Sequence, residues 1–124
     1  MATYDEILAA AWRCFERSGA AGFSLRRVAA DVGLTPMALY RHFENRQALL
    51  DALVLGAIEE WRGRVSAVAP APPGDWLRSI AGAYLDFALE RPRRFEAAFL
   101  VRSPLALRYP DDFFAGASPA LELQ

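Results

Sequence analysis

Two short helical patterns lie between residues 24 and 43 and are separated by only three residues, Gly33-Leu34-Thr35. Ser24 is a favourable N-cap for the first helix, and Thr35-Pro36 is a strong start signal for the second. Apolar residues of the first helix recur at the i, i+3, i+4 and i+7 spacing of one helix face: Leu25, Val28, Ala29 and Val32. The sequence therefore predicts helices over residues 25–32 and 36–43. A turn this short forces the two helices to cross steeply, which is typical of a helix-turn-helix unit.

The chain outside this segment also has helical rather than strand patterns. Alanine, arginine and leucine are abundant and favour helix, and no apolar–polar alternation lasts more than a few residues. Thr3 and Glu6 form a capping-box pattern, and Gly19 fits the left-handed position that ends a helix. The first helix is therefore predicted over residues 4–18, and the fold class as all-α.

Residues 46–68 form the longest predicted helix, with Asn45 as its cap. Its apolar residues cover more than one narrow stripe, so we expect it to pack on two sides and to connect two cores. They are Leu49, Leu50, Leu53, Val54, Ala57, Ile58, Trp61 and Val65. Further patterns predict helices over 76–90, capped by Asp75, over 93–101, opened by Pro92, and over 105–109, with another start signal at Ser118-Pro119.

Composition and charge exclude several classes of function. The net charge is −1, which argues against non-specific coating of nucleic acid but is compatible with a local basic face. The chain has one histidine and one cysteine, so it lacks a multi-ligand metal cluster, an internal disulfide and an obvious nucleophile paired with histidine. No glycine-rich phosphate loop occurs. We expect no enzyme activity, no metal and no cofactor, and we interpret Cys14 as a small core residue.

The sequence also bears on the compartment. No stretch is long and apolar enough to cross a membrane, and the N-terminus lacks a signal-peptide pattern. A single cysteine fits a reducing environment. We therefore expect a cytoplasmic protein without a membrane partner.

The second short helix carries the side chains best suited to recognition. Leu39 and Phe43, together with Leu34 in the turn, are expected to face the core. The remaining side chains then point outward or to the edge: Thr35, Met37, Tyr40, Arg41 and His42. Such groups suit the major groove of DNA, which admits one helix and presents hydrogen-bonding base edges and thymine methyl groups. The alternative is that they are solvated surface residues of an ordinary helical bundle.

Residues 24–50 contain a specific order of residues, Leu39-Tyr40-x-His42-Phe43-x-Asn45-Arg46-x-x-Leu49-Leu50. This segment resembles the DNA-binding signature of TetR-family repressors, and a looser match extends back to Ile7. The resemblance implies a three-helix helix-turn-helix domain followed by a partial helical regulatory domain. We place the DNA-binding domain at residues 1–46 and the regulatory domain at residues 47–124.

The resemblance also implies a role for each DNA-binding residue. Ser24 and Arg26 would contact phosphates from the second helix. Arg46 would hold the DNA backbone from the start of the fourth helix, where the family usually has lysine and arginine keeps the charge. The residues of the recognition segment would divide between two tasks: Thr35, Pro36, Met37 and Arg41 at or near base edges, and Tyr40 and His42 on phosphates at the edge of the groove.

Beyond residue 70 the resemblance is looser. The segments Tyr84-Leu85-Asp86-Phe87-Ala88 and Phe95-x-x-x-Phe99, with Pro92 between them, resemble the regulatory region of one branch of the family. In that family this region binds small molecules and dimerises through two long C-terminal helices, which we expect this chain to lack. The candidate residues of an effector pocket are aromatic: Trp61, Trp76, Tyr84, Phe87, Phe95 and Phe99. Plain core packing is the alternative for the same residues.

The resemblance thus implies a ligand-responsive transcriptional repressor. It would bind a palindromic double-stranded DNA operator as a homodimer and be released by a small apolar or aromatic effector. The alternative is a DNA-binding module that is regulated by protein partners without an effector, which a filled core behind the fourth to sixth helices would favour. A helical enzyme would need a polar catalytic cluster that the sequence lacks.

Overall fold

The computed structural model describes residues 2–101 of the chain. It contains six helices in this range: α1 (Tyr4–Gly22), α2 (Leu25–Asp31), α3 (Pro36–Leu39), α4 (Arg46–Ser66), α5 (Pro73–Glu90) and α6 (Pro92–Phe99). No strand occurs among residues 2–101, and the predicted all-α class is confirmed. None of the helices described is long and apolar enough to cross a membrane. The helix predicted over 105–109 and the start signal at Ser118-Pro119 lie outside the described residues.

Helix α1 begins as predicted but does not end at residue 18. The Thr3 hydroxyl oxygen accepts a hydrogen bond from the Glu6 N–H at 3.2 Å. Gly19 then has φ 66° and ψ −168°, an extended positive-φ conformation open essentially only to glycine, rather than the left-handed helical one expected. Helical backbone resumes after this residue and continues to Gly22. Helix α1 is therefore two helical segments joined by a kink at Gly19.

Helix α3 is a single turn, shorter than the predicted 36–43. The Thr35 hydroxyl oxygen caps it by accepting from the Ala38 N–H at 3.1 Å, and Pro36 occupies the first turn. After Leu39 the chain continues as turns rather than helix. The Leu39 carbonyl accepts from both the His42 N–H (2.9 Å) and the Phe43 N–H (3.1 Å), and such shared bonds tighten and end a helix.

Helix α5 begins at Pro73 rather than at residue 76, and the predicted cap is wrong. Pro72 is the N-cap and makes no side-chain hydrogen bond, while Asp75 lies within the first turn. The Asp75 carboxylate lies 3.8 Å from the Arg78 guanidinium instead. Proline fits the first helical position because the N–H it lacks would have no partner there.

One cluster of buried apolar residues includes members of all six helices. The buried residues of α4 are the eight predicted, which confirms that this helix packs on more than one side. The apolar residues that recur at helical spacing in α1 are also all buried: Ile7, Ala10, Ala11, Cys14 and Phe15. Helix α6 contacts α1, α4 and α5. The described residues on both sides of residue 46 therefore share one core, and the expectation that α4 connects two cores is wrong.

Candidate nucleic-acid interface

The turn between α2 and α3 fixes how α3 is presented. Gly33 has a φ of 72°, a backbone conformation that glycine adopts at little cost. This conformation allows the chain to change direction sharply between α2 and α3. The Leu34 N–H donates to the Ala29 carbonyl at 2.8 Å, which closes the turn. Leu39 is 1% exposed and anchors α3 on the core. The opposite side of this single helical turn consequently faces solvent.

The side chains expected to read DNA all lie on the solvent side. Exposed residues of the segment are Thr35, Pro36, Met37, Tyr40, Arg41 and His42. Met37 is 75% exposed and offers an apolar contact for a thymine methyl group. The Arg41 guanidinium and the His42 imidazole add hydrogen-bonding groups for base edges or phosphates. The segment therefore presents the mixture of groups that major-groove readout requires.

Helix α2 begins with two further candidates. The Ser24 hydroxyl oxygen accepts from the Arg27 N–H at 3.4 Å, so this half-buried side chain is the N-cap of α2. Its hydroxyl proton remains able to donate to a phosphate oxygen. Arg26 is exposed in the first turn of the same helix.

Arg46 at the start of α4 makes contacts that the sequence did not predict. Its Nε donates to the Phe23 carbonyl at 3.0 Å, and its Nη2 donates to the Ala20 carbonyl at 2.6 Å. The guanidinium carbon lies 5.6 Å from the centre of the Phe23 ring. Arg46 thus ties the start of α4 to the end of α1, and its remaining N–H groups are those that could reach a phosphate.

The arginines of residues 2–101 divide into two sets by their partners. One set pairs with carboxylates within 4.0 Å: Arg13, Arg62, Arg64, Arg78, Arg91, Arg93 and Arg94. Apart from Arg46, the described arginines without a carboxylate or carbonyl partner are Arg17, Arg26, Arg27 and Arg41. All four of these unpaired arginines lie between residues 17 and 41, within or beside the helix-turn-helix unit.

Two of the unpaired arginines, Arg17 and Arg27, were not predicted from the sequence as DNA-binding residues. For Arg17 a signal existed, because no acidic residue stands three or four positions away on α1. For Arg27 the signal was misleading, because Asp31 stands four positions later and would be its expected helical partner. The structure pairs Asp31 with Arg13 of α1 instead, at 2.8 Å.

Five of the six aromatic residues considered for a pocket pack against one another. The ring of Trp61 contacts those of Tyr84, Phe87 and Phe99 at centroid distances of 5.9, 6.0 and 5.6 Å. Phe95 contacts Tyr84 at 4.9 Å and Phe99 at 5.1 Å. Phe87 is fully buried, whereas Tyr84 is 40% exposed. These rings join α4, α5 and α6 through an aromatic cluster.

Trp76 lies apart from the aromatic cluster. It lines an open groove of about 610 Å³ between the end of α4, the following loop and the start of α5. The other lining residues are mostly apolar: Val65, Ser66, Val68, Pro70, Ala71, Pro73 and Leu77. Among residues 2–101, no group of three or more His, Cys, Asp or Glu side chains could hold a metal ion.

A charged junction connects α6 to α1 and α4. The Arg94 guanidinium lies 3.6 Å from the centre of the Trp12 ring, and 3.9 and 4.0 Å from the carboxylates of Glu16 and Glu60. Burial lowers the pKa of Arg94, and the charge of Glu60 opposes this shift. Within the described residues the Glu60 Oε2 and the Arg94 Nε make no hydrogen bond. Coulombic attraction and ring stacking therefore hold this junction.

Comparison with known proteins gives the same assignment for the N-terminal half. The family described as "Bacterial regulatory proteins, tetR family" matches residues 7–53. The chain is 30% identical over 99 residues to the uncharacterized HTH-type transcriptional regulator YobS of Bacillus subtilis, covering 79% of this chain and 52% of that protein. It is 34% identical over 106 residues to the HTH-type transcriptional regulator Rv1816 of Mycobacterium tuberculosis, covering 81% of this chain and 44% of that protein.

A solved structure matches over more of the chain. The crystal structure of the regulatory protein SCO4313 superposes with a TM-score of 0.67 at 30% identity. The match covers 94% of this chain and 56% of that one. The chain thus spans about half the length of the relatives it matches.

Proposed function

The chain belongs to the tetR family of bacterial regulatory proteins, and we propose that it is a ligand-responsive repressor that binds a palindromic operator as a homodimer. Residues 1–46 form its DNA-binding domain and residues 47–124 its regulatory domain. A small apolar or aromatic effector bound to the regulatory domain releases it from DNA.

One observation carries the proposed DNA contacts: the recognition residues of the α3 segment are all exposed, and the unpaired arginines lie within or beside the same helix-turn-helix unit. Arg41 reaches a base edge and Met37 a thymine methyl group, with Thr35 and Pro36 close to the bases. Tyr40 and His42 hold phosphates at the groove edge. Ser24 and Arg26 contact phosphate from α2, and Arg46 does so from α4. Because phosphate contacts position a protein and base contacts specify the sequence, α3 supplies the specificity.

The palindromic operator follows from the single recognition unit in the described chain. A symmetric dimer presents two such helices, which meet half-sites about 34 Å apart on the duplex. Selection of bound DNA from a random pool, followed by sequencing, tests this proposal. We expect an inverted repeat, whereas enrichment of a single unrepeated half-site would contradict dimeric binding.

Two features of the proposed regulatory domain support the binding of an effector. The groove beside Trp76 is mostly apolar and large enough for a small molecule. The separate aromatic cluster joins α5 and α6 to Trp61 of α4, and α4 begins at the DNA-binding unit. A ligand that favours one packing of these rings would act on the position of α4. Such a ligand releases DNA only if it binds the DNA-free conformation more tightly.

The mutual effect of effector binding and operator binding tests whether a compound regulates the protein. A candidate aromatic compound, found by its effect on Tm, is titrated into the protein with and without operator DNA. By linkage, the operator must weaken compound binding by the same factor by which the compound weakens operator binding. Equal affinity in both titrations would show that the compound binds without regulating.

A second candidate is a DNA-binding regulator controlled by a protein partner. The exposed apolar side chains of α5 and the end of α6 favour it: Leu77, Leu85, Leu89 and Leu100 are 59, 59, 80 and 68% exposed. The mutual packing of five aromatic rings favours it as well, because a filled cluster leaves less room for a ligand. This candidate predicts that no compound of an apolar and aromatic library shifts Tm, whereas the first predicts at least one.

A further inference from the structure

A groove between α1 and α2 lies outside the set of residues assigned to DNA. It has a volume of about 590 Å³ and is lined by Cys14, Arg17, Ser18, Arg27, Ala30 and Asp31. We infer that this groove binds the sugar-phosphate backbone of the duplex beside the base pairs read by α3, through Arg17 and Arg27. The inference rests on the proposed DNA binding and extends its footprint.

The groove carries two uncompensated positive charges. Within the described residues, neither Arg17 nor Arg27 has a carboxylate within 4.0 Å. The acidic residue of the lining, Asp31, is neutralised because its Oδ2 accepts from the Nε and Nη2 of Arg13 at 3.0 and 2.8 Å. The Ser18 hydroxyl already donates to the Cys14 carbonyl at 2.8 Å. The two arginines are thus the groups of this lining that are available to an anion.

Local charge matters here because the chain has a net charge of −1. A protein gains affinity for duplex DNA by neutralising phosphates and releasing their counterions. An arginine already paired with a carboxylate brings no net charge to that exchange. Within residues 2–101 the exchange therefore depends on Arg46, whose partners are uncharged carbonyls, and on the four unpaired arginines, two of which line the groove.

The position of the groove favours DNA backbone over another anion. Arg27 directly follows Arg26 in the first turn of α2, so their Cα atoms lie about 3.8 Å apart. Arg17 lies across the same groove from Arg27. Arg26, which is proposed to contact a phosphate, is therefore followed in the chain by an arginine that lines the groove. Because each nucleotide of a DNA strand carries a phosphate, a backbone that contacts Arg26 has further phosphates nearby for the arginines of the groove.

The salt dependence of DNA binding tests the inference. We measure the affinity of the 124-residue chain for a random-sequence duplex between about 50 and 200 mM salt, because the slope of log affinity against log salt counts phosphate contacts. Arg17→Ala and Arg27→Ala should each reduce the slope by about 0.9, and the double variant by about 1.8. The matched control is Arg62→Ala, an exposed arginine on α4 that pairs with Glu59 and should leave the slope unchanged.

A variant that is expected to increase the salt slope is included, because unfolding of the protein could only decrease DNA binding. Asp31→Asn removes the partner of Arg13 and should raise the slope by up to about 0.9, because it leaves Arg13 without a carboxylate and removes the acidic charge of the groove lining. An unchanged slope in the folded double variant would overturn the inference and leave DNA binding by α3 intact. If the wild-type chain binds neither random duplex nor selected operator, the proposed function itself falls.

Discussion

The guanidinium of Arg93 in α6 lies against the kink of α1 at Gly19, where a Cβ atom would collide with its Nη1. The Arg93 Nε also donates to the Glu16 carbonyl at 3.3 Å, in the turn before the kink. Just after the kink, Arg46 donates to the Ala20 carbonyl. Helices α6 and α4 thus hold the kink from both sides, and this chain of contacts joins the proposed regulatory part to the DNA-binding unit.

Gly19→Ala should destabilise the protein by about 1–3 kcal/mol, because a side chain is strained in this backbone conformation even before it meets Arg93. Urea denaturation measures the change. The matched control is Gly63→Ala, at a helical position with open space around a new Cβ, which should stabilise by about 0.5–1 kcal/mol. In an Arg93→Ala background the cost of Gly19→Ala should shrink, since the closest contact of the new Cβ is gone. An undiminished cost would show that this contact does not contribute to it.

Arg46 should contribute to both stability and DNA binding. Arg46→Ala removes two hydrogen bonds to carbonyls and should cost about 1–3 kcal/mol in the free energy of unfolding. Arg46→Lys keeps the charge but lacks the planar fork, so it should restore the salt slope of DNA binding more fully than the stability. Parallel urea and salt titrations measure the two effects. If the wild-type protein, Arg46→Ala and Arg46→Lys were equally stable, Arg46 would have no role in stabilising the fold.

Arg41→Ala should affect DNA sequence preference without affecting the fold. Arg41 is exposed and has no partner in the described part of the chain, so its removal should change stability by less than about 0.5 kcal/mol. If it reads a guanine edge, the loss should cost about 1–3 kcal/mol of operator binding and relax one base position. Competition with operators mutated one base pair at a time measures this. A uniform loss across all operators would make Arg41 a phosphate contact.

The aromatic cluster should behave as core, whereas Trp76 should not. Phe87 is fully buried, and Phe87→Ala should cost about 3–5 kcal/mol in the free energy of unfolding. Leu89→Ala, on the same helix at 80% exposure, should change it by less than about 0.5 kcal/mol. Trp76→Ala should fall between the two and should abolish any ligand-induced rise in Tm. Persistence of that rise would place the ligand away from the groove beside Trp76.

The local sequence was sufficient to predict where most helices begin. Thr3, Ser24, Thr35 and Asn45 each accept the hydrogen bond expected of an N-cap, because a cap depends on residues only three positions apart. The buried faces of α1 and α4 were equally readable from helical periodicity. Asp75 failed as a cap because the preceding prolines could already start the helix.

The sequence by itself therefore determined the all-α class, the helix-turn-helix unit and the exposed side of α3. Only the tertiary structure decided which arginines are free, because an ion pair depends on the distance between helices and not on spacing along one. Asp31 lies four residues from Arg27 yet pairs with Arg13 of α1, and Arg46 binds the end of α1. Tertiary packing likewise joined five aromatic rings and left Trp76 in a separate groove, since helices must first cross before their faces meet.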